Sequence, residues 1–229
     1  MTITGPLLSQ VPWDSRKKRA FFRGTIDSSR EAMDEAGCLA AGRERRPARC
    51  QALHVARAHP ERVDYTTRGP PTRGFAGWAA YRYVLFLEGT EEWADRLKLL
   101  LQLGSVVLMQ ELWCNEHYAW MLTPWVHYVP VATDLSDLAE VVAFLQEHDE
   151  LARRIGAEAQ AFARLHLSRD SLLAYHHQLL LGYAAIYRPD HRAAARAAPR
   201  CPATDAVVPN RGLESFPGPR VTLCRRPPR

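Results

Sequence analysis

The chain has 229 residues, 47% of them hydrophobic, and a formal net charge of +5 with pI near 9.1. That length buries one substantial core, or one domain and a tail, and no run of 18 apolar residues marks a membrane span. The basic balance does not mark a nucleic-acid reader: from residue 188 onward nine arginines face three acids, a surplus of six, so residues 1–187 come near −1. A nucleic-acid-binding face would carry its positive charge on the folded part.

Residues 1–18 read as a polar loop segment without the basic and apolar regions of a signal peptide. Arg-Ala-Phe-Phe-Arg-Gly (19–24) reads as a short strand stopped by a glycine. Thr-Ile-Asp-Ser-Ser (25–29) is rich in capping residues, and a helix starts at Arg30. Residues 37–50 predict a helix with irregular ends, 52–55 a strand, and 66–76, with Gly-Pro-Pro, a loop. Tyr-Arg-Tyr-Val-Leu-Phe-Leu-Glu-Gly (81–89) has the apolar, β-branched and aromatic content of a buried strand.

A helix is expected from Thr90, with Trp93, Leu97, Leu100 and Leu101 on its apolar stripe and Gly104 at its end. Ser-Val-Val-Leu-Met (105–109) is a second buried strand, 115–122 a second helix, and Trp-Val-His-Tyr-Val-Pro-Val (125–131) a third strand. Three helices follow, opened by the capping run Asp-Leu-Ser-Asp (134–137), then over 149–166 and 168–187. Beyond Arg188 the sequence is Ala/Arg/Pro-rich and reads as a disordered tail over 188–229. The expected organisation is therefore a loop segment over 1–18, a ligand-binding domain over 19–187, and that tail.

Strands alternating with helices imply a Rossmann-like α/β fold with a parallel sheet and flanking helices, with ligands beyond the carboxyl ends of the strands. Two positions suit an anion. One is the turn at Gly24 and Thr25, which leads through hydroxyl residues to Arg30 at a helix start. A capped turn with no ligand is the alternative there. The other is Arg96, followed by Lys98, where a planar guanidinium fork suits a diphosphate and a solvated surface charge is the alternative. The five cysteines, at 38, 50, 114, 201 and 224, lack metal-like spacing and read as mostly free thiols. His176 and His177 are adjacent in a helix, about 100° apart. They read as a partly buried surface and not as a metal site.

Several segments then occur in one order: Phe-Arg-Gly-Thr (22–25), the strand at 81–89, Arg-Leu-Lys (96–98), Gly-Ser-Val-Val-Leu (104–108), Pro-Trp-Val-His-Tyr-Val-Pro-Val (124–131) and Asp-Leu-Ser-Asp-Leu (134–138). Together they resemble the Rumi-like, capsule-associated family of protein O-glucosyltransferases and O-xylosyltransferases, glycosyltransferase family 90, over about residues 13–187. The resemblance implies one half of a GT-B glycosyltransferase, moving a hexose or pentose from a UDP-sugar to a protein or glycan hydroxyl without a metal or other cofactor. It implies Arg96 on the donor diphosphate, Gly24 and Thr25 beside the nucleotide, Arg30 as a supporting arginine, and Glu116 as a ribose or uracil contact. It also implies the secretory pathway, although neither a signal peptide nor a retention tetrapeptide is visible.

Departures accompany the match. Ile26 and Ala94 stand where the family carries an arginine and a small hydroxyl, and Ala79 and Leu103 where it pairs cysteines. The family's catalytic aspartate precedes the Phe-Arg-Gly strand, in a domain that about 18 residues cannot form. Asp14 is the only acid there and nothing marks it as the base, so the catalytic residue is unknown. The alternative to an enzyme is an inactive nucleotide-sugar-binding or interaction module.

Overall fold

The computed structural model describes residues 11–26, 35–40, 47–66, 77–89, 95–111 and 116–187. Five strands form one sheet in the order β2-β1-β3-β4-β5, with every neighbouring pair parallel. They are β1 (Lys17–Arg23), β2 (Val63–Thr66), β3 (Tyr81–Phe86), β4 (Val106–Gln110) and β5 (Val129–Val131). The helices are α1 (Glu35–Ala40), α2 (Ala48–Ala58), α3 (Leu97–Leu100), α4 (Leu138–Glu147), α5 (Asp149–His166) and α6 (Arg169–Ile186). The α/β Rossmann-like sheet with flanking helices is the architecture that alternating strand and helix patterns predict.

Every residue of β3 and of β4 is buried. Consecutive buried positions mean that both faces of these strands are covered, the usual condition of a parallel sheet. Arg82 lies inside β3 because its guanidinium pairs with Asp149 and lies 5.1 Å from the centre of the Trp13 ring. Helix α5 buries Ala152, Ile155, Gly156, Ala159, Phe162 and Ala163 as a single stripe. Acids in its first turn and Arg164 and His166 in its last complement the helix dipole.

The Gly-Ser motif at 104–105 belongs to the amino end of β4. Gly104 has φ of 66°, a left-handed conformation that disfavours a side chain, and closes the 3-10 turn Leu101–Leu103. Ser105 is fully buried; its hydroxyl donates to the Tyr81 carbonyl at 2.7 Å and accepts from Arg16 at 3.0 Å. The same arginine donates to the Leu103 carbonyl at 3.1 Å. Leu103 and Ala79, which replace the cysteine pair of the resemblance, are both core residues.

Several expectations are corrected. The first strand begins at Lys17, and a 3-10 turn, Trp13–Ser15, precedes it within the segment read as loop. The strand expected over 52–55 is the middle of α2, whose buried Ala52, Leu53 and Ala56 follow helical spacing; the edge strand is β2 instead. Over 115–122 the described residues hold only the 3-10 turn Ala119–Met121. The last strand is cut to Val129–Val131 because Trp125 takes φ of 63° and its N–H donates to the Tyr128 carbonyl, folding the preceding residues into a turn. Cys38 and Cys50 are not free thiols but a disulfide joining α1 to α2. His176 and His177 are exposed, not partly buried. The opening of the helix expected from Thr90, the helix start at Arg30 and the tail over 188–229 lie outside the described residues.

The chain divides into two compact units, residues 1–176 and 177–229. Of the second, the described part is the carboxyl-terminal portion of α6 with Tyr187. Among the described residues no helix is long and apolar enough to cross a membrane.

Candidate functional site

The strand order makes β1 and β3 the point where the chain turns to opposite sides, β1 leading outward to β2 and β3 to β4. In an open parallel sheet the crevice beyond the carboxyl ends of two such strands is where ligands sit. Phe22, near the end of β1, is fully buried and forms the floor here. The guanidinium of Arg49 lies 5.6 Å from the centre of its ring and that of Arg96 5.2 Å away, both within cation–π range. Two arginines from distant parts of the chain thus share one aromatic ring.

Arg49 comes from the first turn of α2 and is 6% exposed. It donates to the Glu88 carbonyl at 2.9 Å and to the Thr25 carbonyl at 3.0 Å, bridging the segments that follow β3 and β1. The Glu88 carboxylate in turn accepts from the Ala48 N–H at 3.2 Å. The start of α2 is therefore satisfied by a protein carboxylate, and the guanidiniums, not a bare helix terminus, carry the site's positive charge. Arg96 precedes α3 and is half-buried. Burial first, and the Arg49 charge second, pull its pKa below the ordinary arginine value, while Asp95 acts in the opposite direction. Two like charges held together in a partly desolvated crevice repel one another, a repulsion that a bound anion would relieve.

Gly24 and Thr25 lie where the sequence placed them, directly after β1. A Cβ on Gly24 would come within 3.0 Å of the Phe22 ring, so a side chain there would press on the floor beneath both arginines. Thr25 contributes its carbonyl to Arg49. Ile26 is a core residue. Arg30 and Ala94 lie outside the described residues.

Glu116 pairs with Lys98, whose ammonium lies 3.5 Å from its carboxylate. It also lines a cavity of about 700 Å³ beyond the ends of β4 and β5, together with Glu111, His117, Trp120, Tyr128 and Asp137. Trp120 is 82% exposed at that cavity, an aromatic face open to a ligand. Gln110 ties the surrounding strand ends together, accepting from the Glu88 N–H at 2.9 Å and donating to the Thr133 carbonyl at 3.1 Å. Asp14 stands elsewhere: it precedes β1, near Arg82, at the amino ends of the strands.

Arg49 is the residue that sequence reasoning missed. It sits in an Ala/Arg/Gly-rich stretch in which several arginines look equivalent. Only Pro47, directly before the first turn of α2, marked it as the start of a helix.

The model of the family described as Glycosyl transferase family 90 matches residues 7–214. Protein O-glucosyltransferase 2 of Danio rerio is 32% identical over 197 residues, covering 80% of this chain and 35% of that protein. Protein O-glucosyltransferase 3 of Homo sapiens is 31% identical over 194 residues, 79% of this chain and 34% of that protein. Protein O-glucosyltransferase 1 of Homo sapiens is 29% identical over 192 residues, 77% of this chain and 44% of that protein. The chain thus spans between about a third and 44% of the length of these relatives.

Proposed function

Because this chain belongs to glycosyl transferase family 90, we propose that its β1–β3 crevice binds the diphosphate of a UDP-sugar for transfer of a hexose or pentose to a protein or glycan hydroxyl. The observation that carries this reading is the pair of guanidiniums on Phe22 at the switch point of the sheet. Breaking the sugar–phosphate bond leaves charge on the diphosphate, and preorganised cations stabilise that charge best where water is partly excluded. Arg96 and Arg49 hold the two phosphates through charge-assisted hydrogen bonds. The turn at Gly24 and Thr25 flanks them. Glu116 accepts from ribose hydroxyls, with the nucleoside in the cavity beside Trp120. Two guanidiniums supply the positive charge without a metal. The Cys38–Cys50 disulfide supports an oxidising compartment such as the secretory pathway.

A non-catalytic UDP-sugar-binding module is the second reading. What favours it is that two of the nearby carboxylates, Glu88 and Glu116, are engaged with the Ala48 N–H and with Lys98. A general base has to reach the acceptor hydroxyl directly. Titration with UDP and with UDP-glucose, followed by thermal shift, tests both. Stabilisation that disappears in Arg96→Ala is expected, and no stabilisation at millimolar ligand would sink both readings. Binding with sugar transfer identifies the enzyme, and binding with neither transfer nor hydrolysis identifies the module.

A further inference from the structure

Behind Arg49, α1 and α2 bring three side chains of metal-ligand type together. Cys50 and His54 are four residues apart on α2 and therefore share one face. Cys38 approaches that face from α1. The potential ligand atoms of all three lie within 4.8 Å of one another. An ion held tetrahedrally by sulfur at about 2.3 Å and nitrogen at about 2.0 Å sets its ligand atoms roughly 3.5–3.8 Å apart, so small side-chain shifts suffice. Both sulfurs are fully buried, whereas His54 is partly exposed and leaves a route for an ion. The imidazole sits against the disulfide, with its Nε2 3.0 Å from the Cys38 carbonyl oxygen.

We propose that Cys38, Cys50 and His54 form a redox-gated site for a divalent d-block ion of zinc's character, closed while the disulfide is intact and opened by reduction. A dithiol reductant supplies two electrons and two protons to the Cys38–Cys50 bond and is itself oxidised to a disulfide. Each thiol then loses its proton to solvent as the ion binds. The imidazole contributes a lone pair, its own proton residing on the nitrogen that does not hold the ion, and water completes the four-coordinate set. Two thiolates cancel the charge of a divalent ion, so the loaded site is neutral. Isolated thiolates at the same buried positions would carry an uncompensated charge. Thiolate–imidazole sets select zinc-like ions over magnesium or calcium. Cys50 directly follows Arg49 on α2, so the site adjoins the donor crevice, but its test does not depend on sugar transfer.

The experiment uses the full chain with Cys114, Cys201 and Cys224 replaced by Ser, reduced with a phosphine and titrated anaerobically with Co²⁺. One ion per chain is expected, with a thiolate-to-cobalt charge-transfer band, four-coordinate visible bands and displacement by Zn²⁺. The oxidised protein should show none of these. Cys50→Ser should weaken the charge-transfer band, and the double variant Cys38→Ser/Cys50→Ser should remove it. His54→Ala should weaken binding at least tenfold while far-UV circular dichroism stays unchanged, which separates loss of a ligand from loss of fold. Absence of the band in the reduced protein would overturn the proposal. So would a band that survives the double variant Cys38→Ser/Cys50→Ser, equal binding by the oxidised protein, or unchanged affinity in His54→Ala.

Discussion

At the scale of single residues, Arg49 performs two tasks that can be pulled apart. Its guanidinium spans the Thr25 and Glu88 carbonyls, and it shares the Phe22 ring with Arg96. Hydrogen bonds to charged groups contribute about 1.5–3 kcal/mol, so Arg49→Ala is expected to weaken UDP binding by roughly ten- to a hundredfold. Arg49→Lys should not restore it, because an ammonium lacks the planar fork that reaches two carbonyls and a phosphate together. Calorimetric titration of the single variants and of the double variant with Arg96→Ala checks this. A double loss smaller than the sum of the single losses is expected, since both arginines act on one ligand group. The sequence marked Arg96 through the strand and helix around it, but it could not single out Arg49. Which of several arginines in an irregular stretch turns inward depends on where α2 docks, and that depends on β1 and β3.

At the scale of elements, the crossing of α5 over the amino end of β4 is set by two glycines. A Cβ on Gly156 would lie 2.7 Å from the Gly104 carbonyl oxygen and 3.2 Å from its carbon, both backbone atoms that cannot rotate away. Helix propensity alone favours Gly156→Ala by about 1 kcal/mol. Overpacking costs typically about 1–3 kcal/mol, and against backbone it should win. Gly156→Ala is therefore expected to lower the urea midpoint, and a raised midpoint would show that the helix slides freely. Periodicity marked α5 at its observed bounds because its buried stripe is long and regular. It failed over 52–55, where four residues carry too few turns to separate a strand from a helix. It failed again over 125–131, because nothing local announces the left-handed Trp125.

For the whole molecule, pH reports on the core. Tyr65, Tyr81 and Tyr83 are each pushed up to about 12, in every case first by burial. For Tyr81 the next cause is its hydroxyl donating to Asp64 at 2.7 Å, and for Tyr83 it is the Asp149 charge. In the unfolded chain these phenols lose their protons near pH 10, while the folded protein keeps them until about pH 12. The folded state then binds more protons than the unfolded one, so the stability linked to these groups is complete below pH 10 and is lost as pH rises toward 12. Urea midpoints measured across that window should fall with a slope steeper than one proton. Tyr83→Phe should flatten the slope, and a flat profile in the wild type would contradict the burial of these phenols.

The sequence by itself determined the kind of fold, the family, and the place of the Gly24–Thr25 turn directly after β1, because apolar periodicity and short motifs are local properties of the chain. Only the tertiary structure decided that Arg49 joins Arg96 on Phe22, that the Gly-Ser motif supports the amino end of β4, and that Cys38 meets Cys50 and His54. Each of these rests on contacts between segments far apart in the chain or joined by an irregular stretch. Local patterning specifies which elements form, and burial of their faces against one another settles which polar groups end up side by side.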